Sequence, residues 1–281
     1  MENKVAFITG ASRGIGKATA LTLAKNGFDL VLSARTIVGA GHHRDMLRTA
    51  DGKPLAGSLE ETITEARRYG AQVLPVQMDL ADRGSIDRAL DQLKRRFGRV
   101  DALVNNATFH GQHLNIAFED IEINELEKVF QTNVYGPFYL TQCIVKMMLQ
   151  QGLGGTVVSL TTGGAEFDPP MPVWDGSWGF NYGGSKAAIH RLAGILNVEL
   201  GDKGIQAFNL QPGVVRTESL LATLGNDSRL SAQYGSAPPE VPAAVIHWLL
   251  TSAEAKSKLG KTVHAQHIAK KLQIVPDWNE A

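Results

Sequence analysis

Thr9-Gly10-Ala11-Ser12-Arg13-Gly14-Ile15-Gly16 is the stretch on which the fold turns. An apolar strand over Val5–Thr9 runs into it, and a helix over Ile15–Lys25 leaves it at once. Glycines here let the backbone turn sharply and lie close against a pyrophosphate. The helix N-terminus presents unpaired N–H groups and a partial positive charge to the same phosphates. The spacing is G-x-x-x-G-x-G, not the G-x-G-x-x-G of the standard dinucleotide fingerprint. A strand before and a helix after supply the context that a merely tight turn lacks.

Outward from this loop, short apolar runs alternate with helix-period segments. Strands are predicted over Leu30–Ser33, Val73–Gln77, Leu103–Asn105, Thr156–Leu160 and Gln206–Leu210. Helices are predicted over Glu60–Tyr69, Ile86–Phe97, Leu126–Gln150 and Tyr182–Leu200, the first opened by a capping box in which Ser58 stands three before Glu61. Such alternation implies right-handed crossovers and an α/β, doubly wound parallel sheet of the Rossmann type with helices on both faces. No linker divides residues 1–281, so a single dinucleotide-binding and catalytic domain is expected. Three segments break the rhythm. Residues 36–57 form an insertion with four glycines beside the cofactor's expected adenosine end, and residues 163–180 and 213–240 are rich in Gly and Pro. Loops at the carboxyl ends of strands line the crevice of such sheets, so the last two are the expected substrate loops.

Composition narrows the class. Of 281 residues 43% are hydrophobic and 20% charged, enough apolar surface for a sizeable core. Lys+Arg and Asp+Glu both number 28, so there is no basic field for nucleic acid. The single cysteine, Cys143, cannot form an internal disulfide and reads as a small core residue. No signal peptide precedes the first strand and no apolar run reaches membrane-spanning length, so a cytoplasmic setting with no membrane partner is expected.

Cofactor choice is read at the end of the second strand. An enzyme binding NAD usually places an acid there for the ribose hydroxyls. Ser33–Thr36 contains none, and Arg35 stands where a 2′-phosphate needs a cation, with Arg13 able to clasp it from the other side. Either arginine alone reads as an ordinary surface residue; together with the missing acid they favour NADP(H) over NAD(H). Further along, Tyr182-Gly183-Gly184-Ser185-Lys186 puts Tyr and Lys on one helical face, one turn apart. A neighbouring ammonium favours the phenolate and lowers the tyrosine pKa, which suits a general acid or base.

With these residues in place the chain resembles the short-chain dehydrogenase/reductase family along nearly its whole length. Thr9–Gly16 is similar to the family's glycine loop, in which Gly10, Ser12, Arg13, Gly14, Ile15 and Gly16 would face the cofactor. Asp79-Leu80 resembles the acidic pair that contacts the adenine, and Asn105-Asn106-Ala107 the N-N-A-G motif. Asn133 resembles the structural and catalytic asparagine, and Tyr182 with Lys186 the catalytic pair. Pro212-Gly213, continuing through Val215 to Thr217, resembles the segment that closes over the nicotinamide. The resemblance implies hydride transfer between a nicotinamide and the carbon of a small carbonyl or alcohol substrate. Tyr182 would handle the oxygen's proton, Lys186 would hold the nicotinamide ribose, and Asn133 would hold a water linking the lysine to solvent.

Two residues depart from the pattern. The family's catalytic serine aligns on Thr162, with Thr161 the nearby alternative and Ser159 pointing elsewhere from its strand. Threonine keeps the hydroxyl, but its methyl restricts the rotamer, and the separation from Tyr182 is longer than the family's usual one. Thr108 stands where the N-N-A-G motif has glycine, a position read as supporting the sheet more than the chemistry.

The loop before Tyr182 carries Phe167, Pro169, Pro170, Met171, Val173, Trp174, Trp178 and Phe180. These residues either wall a pocket for a bulky apolar substrate or form a subunit contact or packed surface loop. His42-His43 and His110-x-x-His113 lack the spacing of a zinc motif, so no metal is expected. Arg44, Arg48 and Lys53 of the insertion read as solvated, with a further cation for the 2′-phosphate as the alternative. Broad apolar faces on Tyr135–Leu149 and on the Tyr182 helix, with the family resemblance, imply a homodimer or homotetramer. The tail over 266–281 caps a neighbouring subunit or frays. The rival functions are an NAD-dependent alcohol dehydrogenase and a catalytically idle NADP-binding sensor or scaffold.

Overall fold

The computed structural model describes residues 3–37, 55–109, 116–224, 235–276 and 278. The His42-His43 pair, Arg44, Arg48, Lys53, His110 and His113 lie outside the described residues. In chain order the elements run β1 (Lys4–Thr9), α1 (Gly14–Lys25), β2 (Phe28–Ala34), α2 (Leu59–Arg67), β3 (Val73–Gln77), α3 (Arg83–Phe97) and β4 (Ala102–Asn105). Then follow α4 (Ile123–Phe130), a π-helical stretch (Gln131–Tyr135), α5 (Gly136–Gln151), β5 (Gly155–Leu160), α6 (Phe180–Leu200) and β6 (Ile205–Gln211). The last are α7 (Glu218–Leu224), α8 (Glu240–Thr251), β7 (Thr262–His264) and α9 (Ala265–Leu272).

The strands form one seven-stranded sheet in the order β3-β2-β1-β4-β5-β6-β7, every neighbouring pair parallel. Parallel strands covered on both faces need apolar residues at successive positions, and β1 is buried from Val5 to Thr9. Its alternate side chains serve two cores. Ala6 and Ile8 pack with Leu23 of α1, Ile63 of α2, Val245 of α8 and Ile268 of α9. Val5 and Phe7 pack with Leu90 of α3, Ile144 of α5 and Leu192 of α6. After β3 the chain crosses to the other side of β1, and this reversal opens a crevice at the carboxyl ends of β1 and β4.

Ser58 accepts a hydrogen bond from the Glu61 N–H at 3.1 Å, as the capping pattern predicted. Elsewhere the structure corrects the sequence reading. The helix expected over Leu126–Gln150 is interrupted by the π-helical stretch that carries Asn133. The segment after Gly213 contains α7, and α8, β7 and α9 were not anticipated. Within the tail, Ile268, Ala269 and Trp278 are packed in this chain's own core and not frayed, while residues 277 and 279–281 lie outside the described residues. Lys270 lies over the Trp278 ring. Among the described residues no helix is long and apolar enough to cross a membrane.

Candidate active site

The crevice is a cleft of about 2190 Å³. Its cofactor half is built by the glycine loop. Gly10 has φ 68, a left-handed conformation that a side chain resists. A Cβ on Gly16 would collide with the carbonyl oxygen of Gly10, so α1 can start this close to the loop only with glycine there. Gly10, Ser12, Arg13, Gly14 and Ile15 line the cleft, with the N-terminus of α1 facing it. These features fit the pyrophosphate of a dinucleotide. Gly16 acts through packing and does not line the cleft. In the structure the Gly14 N–H donates to Glu218 Oε2 at 3.1 Å, so a carboxylate from α7 sits at the α1 N-terminus.

Asn106 joins this loop to β4. Its side-chain amide donates to the carbonyls of Thr9 (2.8 Å) and Gly10 (3.1 Å), and the Thr9 hydroxyl accepts the N–H groups of Asn106 and Ala107, each at 3.0 Å. Asp79 Oδ1 accepts the Ala81 N–H, shaping the turn at Leu80 where the adenine is expected. Ser33, Ala34, Arg35 and Thr36 line the same end. Arg13 donates to the carbonyls of Ala56 (2.9 Å) and Gly57 (3.2 Å). Burial lowers the Arg13 pKa, the Glu218 carboxylate opposes this, and the Arg35 guanidinium lowers it further. Arg13 therefore fastens the insertion's end, and Arg35 lines the β2 end of the cleft.

Tyr182 and Lys186 face the cleft from the first turns of α6, at the ends of β4 and β5. The neighbouring-cation effect expected from sequence is not what governs Tyr182. Removal from water raises its pKa, and a hydrogen bond with Thr162 pulls it back. Lys186 is 5% exposed, and burial lowers its pKa to about 8. Its ammonium donates to Thr108 Oγ1 at 2.8 Å and to the Leu160 carbonyl at 3.1 Å. Thr108 thus reaches the lysine, which corrects its reading as a sheet-supporting position.

The two threonines separate cleanly. Thr162 meets Tyr182, whereas the Thr161 hydroxyl, 4% exposed, is bonded to His190 Nδ1 at 2.8 Å. Ser159 accepts from Asn105 inside the sheet. Asn133 is buried and does not line the cleft. Its Oδ1 accepts the Phe109 N–H, and its Nδ2 donates to the Phe109 carbonyl, both at 2.8 Å, and to Ser185 Oγ at 3.3 Å. The side chain expected to hold a water is a clamp between the segment after β4 and α6.

The other half of the cleft is walled by Leu126 and Phe130 of α4 with Phe167, Pro170 and Trp178 of the 163–180 loop. Gly164 and Gly183 pack against the Trp178 indole, which fixes it beside Tyr182. Trp174 is 73% exposed and lies outside the wall, as do Pro169, Met171, Val173 and Phe180. Pro212, Gly213, Val215 and Thr217 close the far side. Gln211 and His264, which the sequence reading passed over, join there by a 3.1 Å hydrogen bond.

The family model described as enoyl-(acyl carrier protein) reductase matches residues 10–265. Among relatives, L-rhamnose 1-dehydrogenase (NAD(P)+) of Sphingomonas sp. is 28% identical, over 78% of this chain and 75% of its own. The 3-oxoacyl-[acyl-carrier-protein] reductase of Escherichia coli is 29% identical, over 94% of this chain and 96% of its own. A short-chain type dehydrogenase/reductase from Mycobacterium marinum superposes with a TM-score of 0.76 at 27% identity, covering 93% of each chain. Matching fold, loop and relatives together, the chain belongs to the short-chain dehydrogenase/reductase family and is an oxidoreductase acting on alcohol and carbonyl groups with a nicotinamide cofactor.

Proposed function

We propose that the protein is an NADP(H)-dependent ketoreductase in which Tyr182 is the general acid. The observation that carries this reading is the meeting of Tyr182 and Thr162 in the cleft, one helical turn from the Lys186 ammonium. A phenol whose pKa is raised by burial keeps its proton at neutral pH, which suits donation to a carbonyl oxygen. The Thr162 hydroxyl steadies that oxygen, and the positive charge of Lys186 stabilises the phenolate left behind. When bound, the nicotinamide supplies the hydride; residues Gly10–Ile15, Asn106–Ala107 and Pro212–Thr217 would hold it.

The preference for NADP(H) is supported by Arg35 at the β2 end and by the absence of an acid in Ser33–Thr36. The Sphingomonas relative is named for both NAD+ and NADP+. Phe167, Trp178, Leu126 and Phe130 favour a bulky apolar carbonyl substrate. Tyr135, Phe138, Ile195 and Val198 are exposed on α5, α6 and the stretch before α5, which supports a homodimer or homotetramer. The test is consumption of NADPH and NADH against a panel of ketones and quinones. NADPH should be used with the higher kcat/KM. Arg35→Asp should lower that value by about 10- to 100-fold for NADPH, the worth of a hydrogen bond to a charged group, and spare NADH. Equal use of both cofactors by the two proteins would refute the preference.

A further inference from the structure

We propose that the Thr108 hydroxyl is the seat of the Lys186 ammonium, and that Asn133 serves the lysine by holding Thr108 in register. The catalytic meaning of this seat rests on the reductase reading above.

An ammonium has three donors and no acceptor, and a buried one must find oxygens for them. Lys186 has no salt-bridge partner among the described residues. Two neutral oxygens hold it instead: Thr108 Oγ1 at 2.8 Å and the Leu160 carbonyl at 3.1 Å. The carbonyl belongs to the sheet and would be there whatever stood at 108. The hydroxyl belongs to this chain's departure from glycine. With two donors satisfied from β5 and from the segment after β4, the third is left for the cleft that Lys186 lines.

The seat is itself fixed on both sides. Before it, Asn106 is tied to the Thr9 and Gly10 carbonyls. After it, Phe109 is clamped through both backbone groups by the Asn133 amide. β-branching leaves Thr108 few rotamers, so a held backbone means a held hydroxyl. The clamp also reaches Ser185, whose hydroxyl donates to the Tyr182 carbonyl at 2.9 Å, so the lysine and the tyrosine are placed from the same asparagine. Burial that already draws the Lys186 pKa to about 8 makes each acceptor matter to its charge.

Thr108→Val removes the hydroxyl and keeps the shape; Thr108→Ser keeps the hydroxyl; Thr108→Gly restores the residue that the motif has at this place. Lys186 is titrated by lysine 13Cε NMR, with Lys186→Met for assignment, and kcat is measured across pH with cofactor affinity alongside. In the Val and Gly variants the lysine midpoint should fall by about one pH unit, as expected when a charged group loses an acceptor. The alkaline limb of kcat should move with it, and kcat should fall ~10-fold or more. Ser should restore both. An unmoved midpoint in Val and Gly, or equal losses in Val and Ser, would overturn the seat. If the wild-type protein shows no Tyr182-dependent turnover, the reductase reading fails, and the lysine titration alone decides on Thr108.

Discussion

Lys186 carries its charge almost wholly out of water, and that has a measurable consequence for stability. Its folded-state pKa, about 8, lies below the unfolded value of 10.5. Between those values the unfolded chain holds a proton that the folded chain has released, so this group makes stability rise with pH across that window and leaves it flat below. The gain amounts to about 3 kcal/mol over the interval. Denaturant unfolding of the cofactor-free protein should show the rise, and Lys186→Met should abolish it; identical slopes in the two proteins would contradict the burial. Thr162 carries a separate expectation. Losing the hydroxyl that meets Tyr182 should lower kcat by about 10²-fold in Thr162→Ala, with Thr162→Ser close to wild type and cofactor affinity unchanged in both. The residue roles most open to reading were those with motifs around them, Gly10–Gly16, Tyr182 and Lys186. The choice between Thr161 and Thr162 needed the structure, because only a third residue, His190, shows where the Thr161 hydroxyl goes.

At the scale of elements, the first turn of α1 is where two claims on one set of N–H groups meet. A helix N-terminus attracts anions, and Glu218 at the start of α7 holds the Gly14 N–H at 3.1 Å. A pyrophosphate bound there displaces or repels this carboxylate. Glu218→Gln should therefore tighten cofactor binding by about 2- to 5-fold, the scale of a charge at a helix end, as read by quenching or calorimetry. Weaker binding in the variant would show that the carboxylate helps to build the site instead.

Elements up to β6 were legible as short, largely apolar runs alternating with helix-period segments. The break at Gln131–Tyr135 was not, because a π-helical stretch of five residues is too short to show a period of its own. β7 escaped notice because its three residues are too short to show a period. α8 opens with Pro239 just before it and Pro242 in its first turn, where proline is tolerated but reads as a breaker.

The whole molecule gathers its cleft from segments remote in the chain. Lys186 and Thr108 are 78 residues apart, and Gly14 and Glu218 are 204 apart. The strand order brings them to one edge, which is why the doubly wound topology could be inferred from alternation while the contacts within the cleft could not. The same closure explains the C-terminal residues. Trp278 is 7% exposed in the core formed by α1, α8 and α9, with Lys270 over its ring. Trp278→Ala should cost about 3–5 kcal/mol in unfolding free energy without changing the size of the assembly. A change in assembly size at undiminished stability would show that the tryptophan serves a neighbouring subunit.

Tyr182 as the proton donor in the cleft is the role on which every other one turns. Its most direct test is Tyr182→Phe, measured for reduced-cofactor affinity and for carbonyl-dependent turnover in the same preparation. Affinity should stay within a few-fold of wild type and turnover should fall by about 10²- to 10⁴-fold, the contribution of a positioned general acid. Turnover undiminished in the phenylalanine variant, with cofactor bound as in wild type, would contradict it.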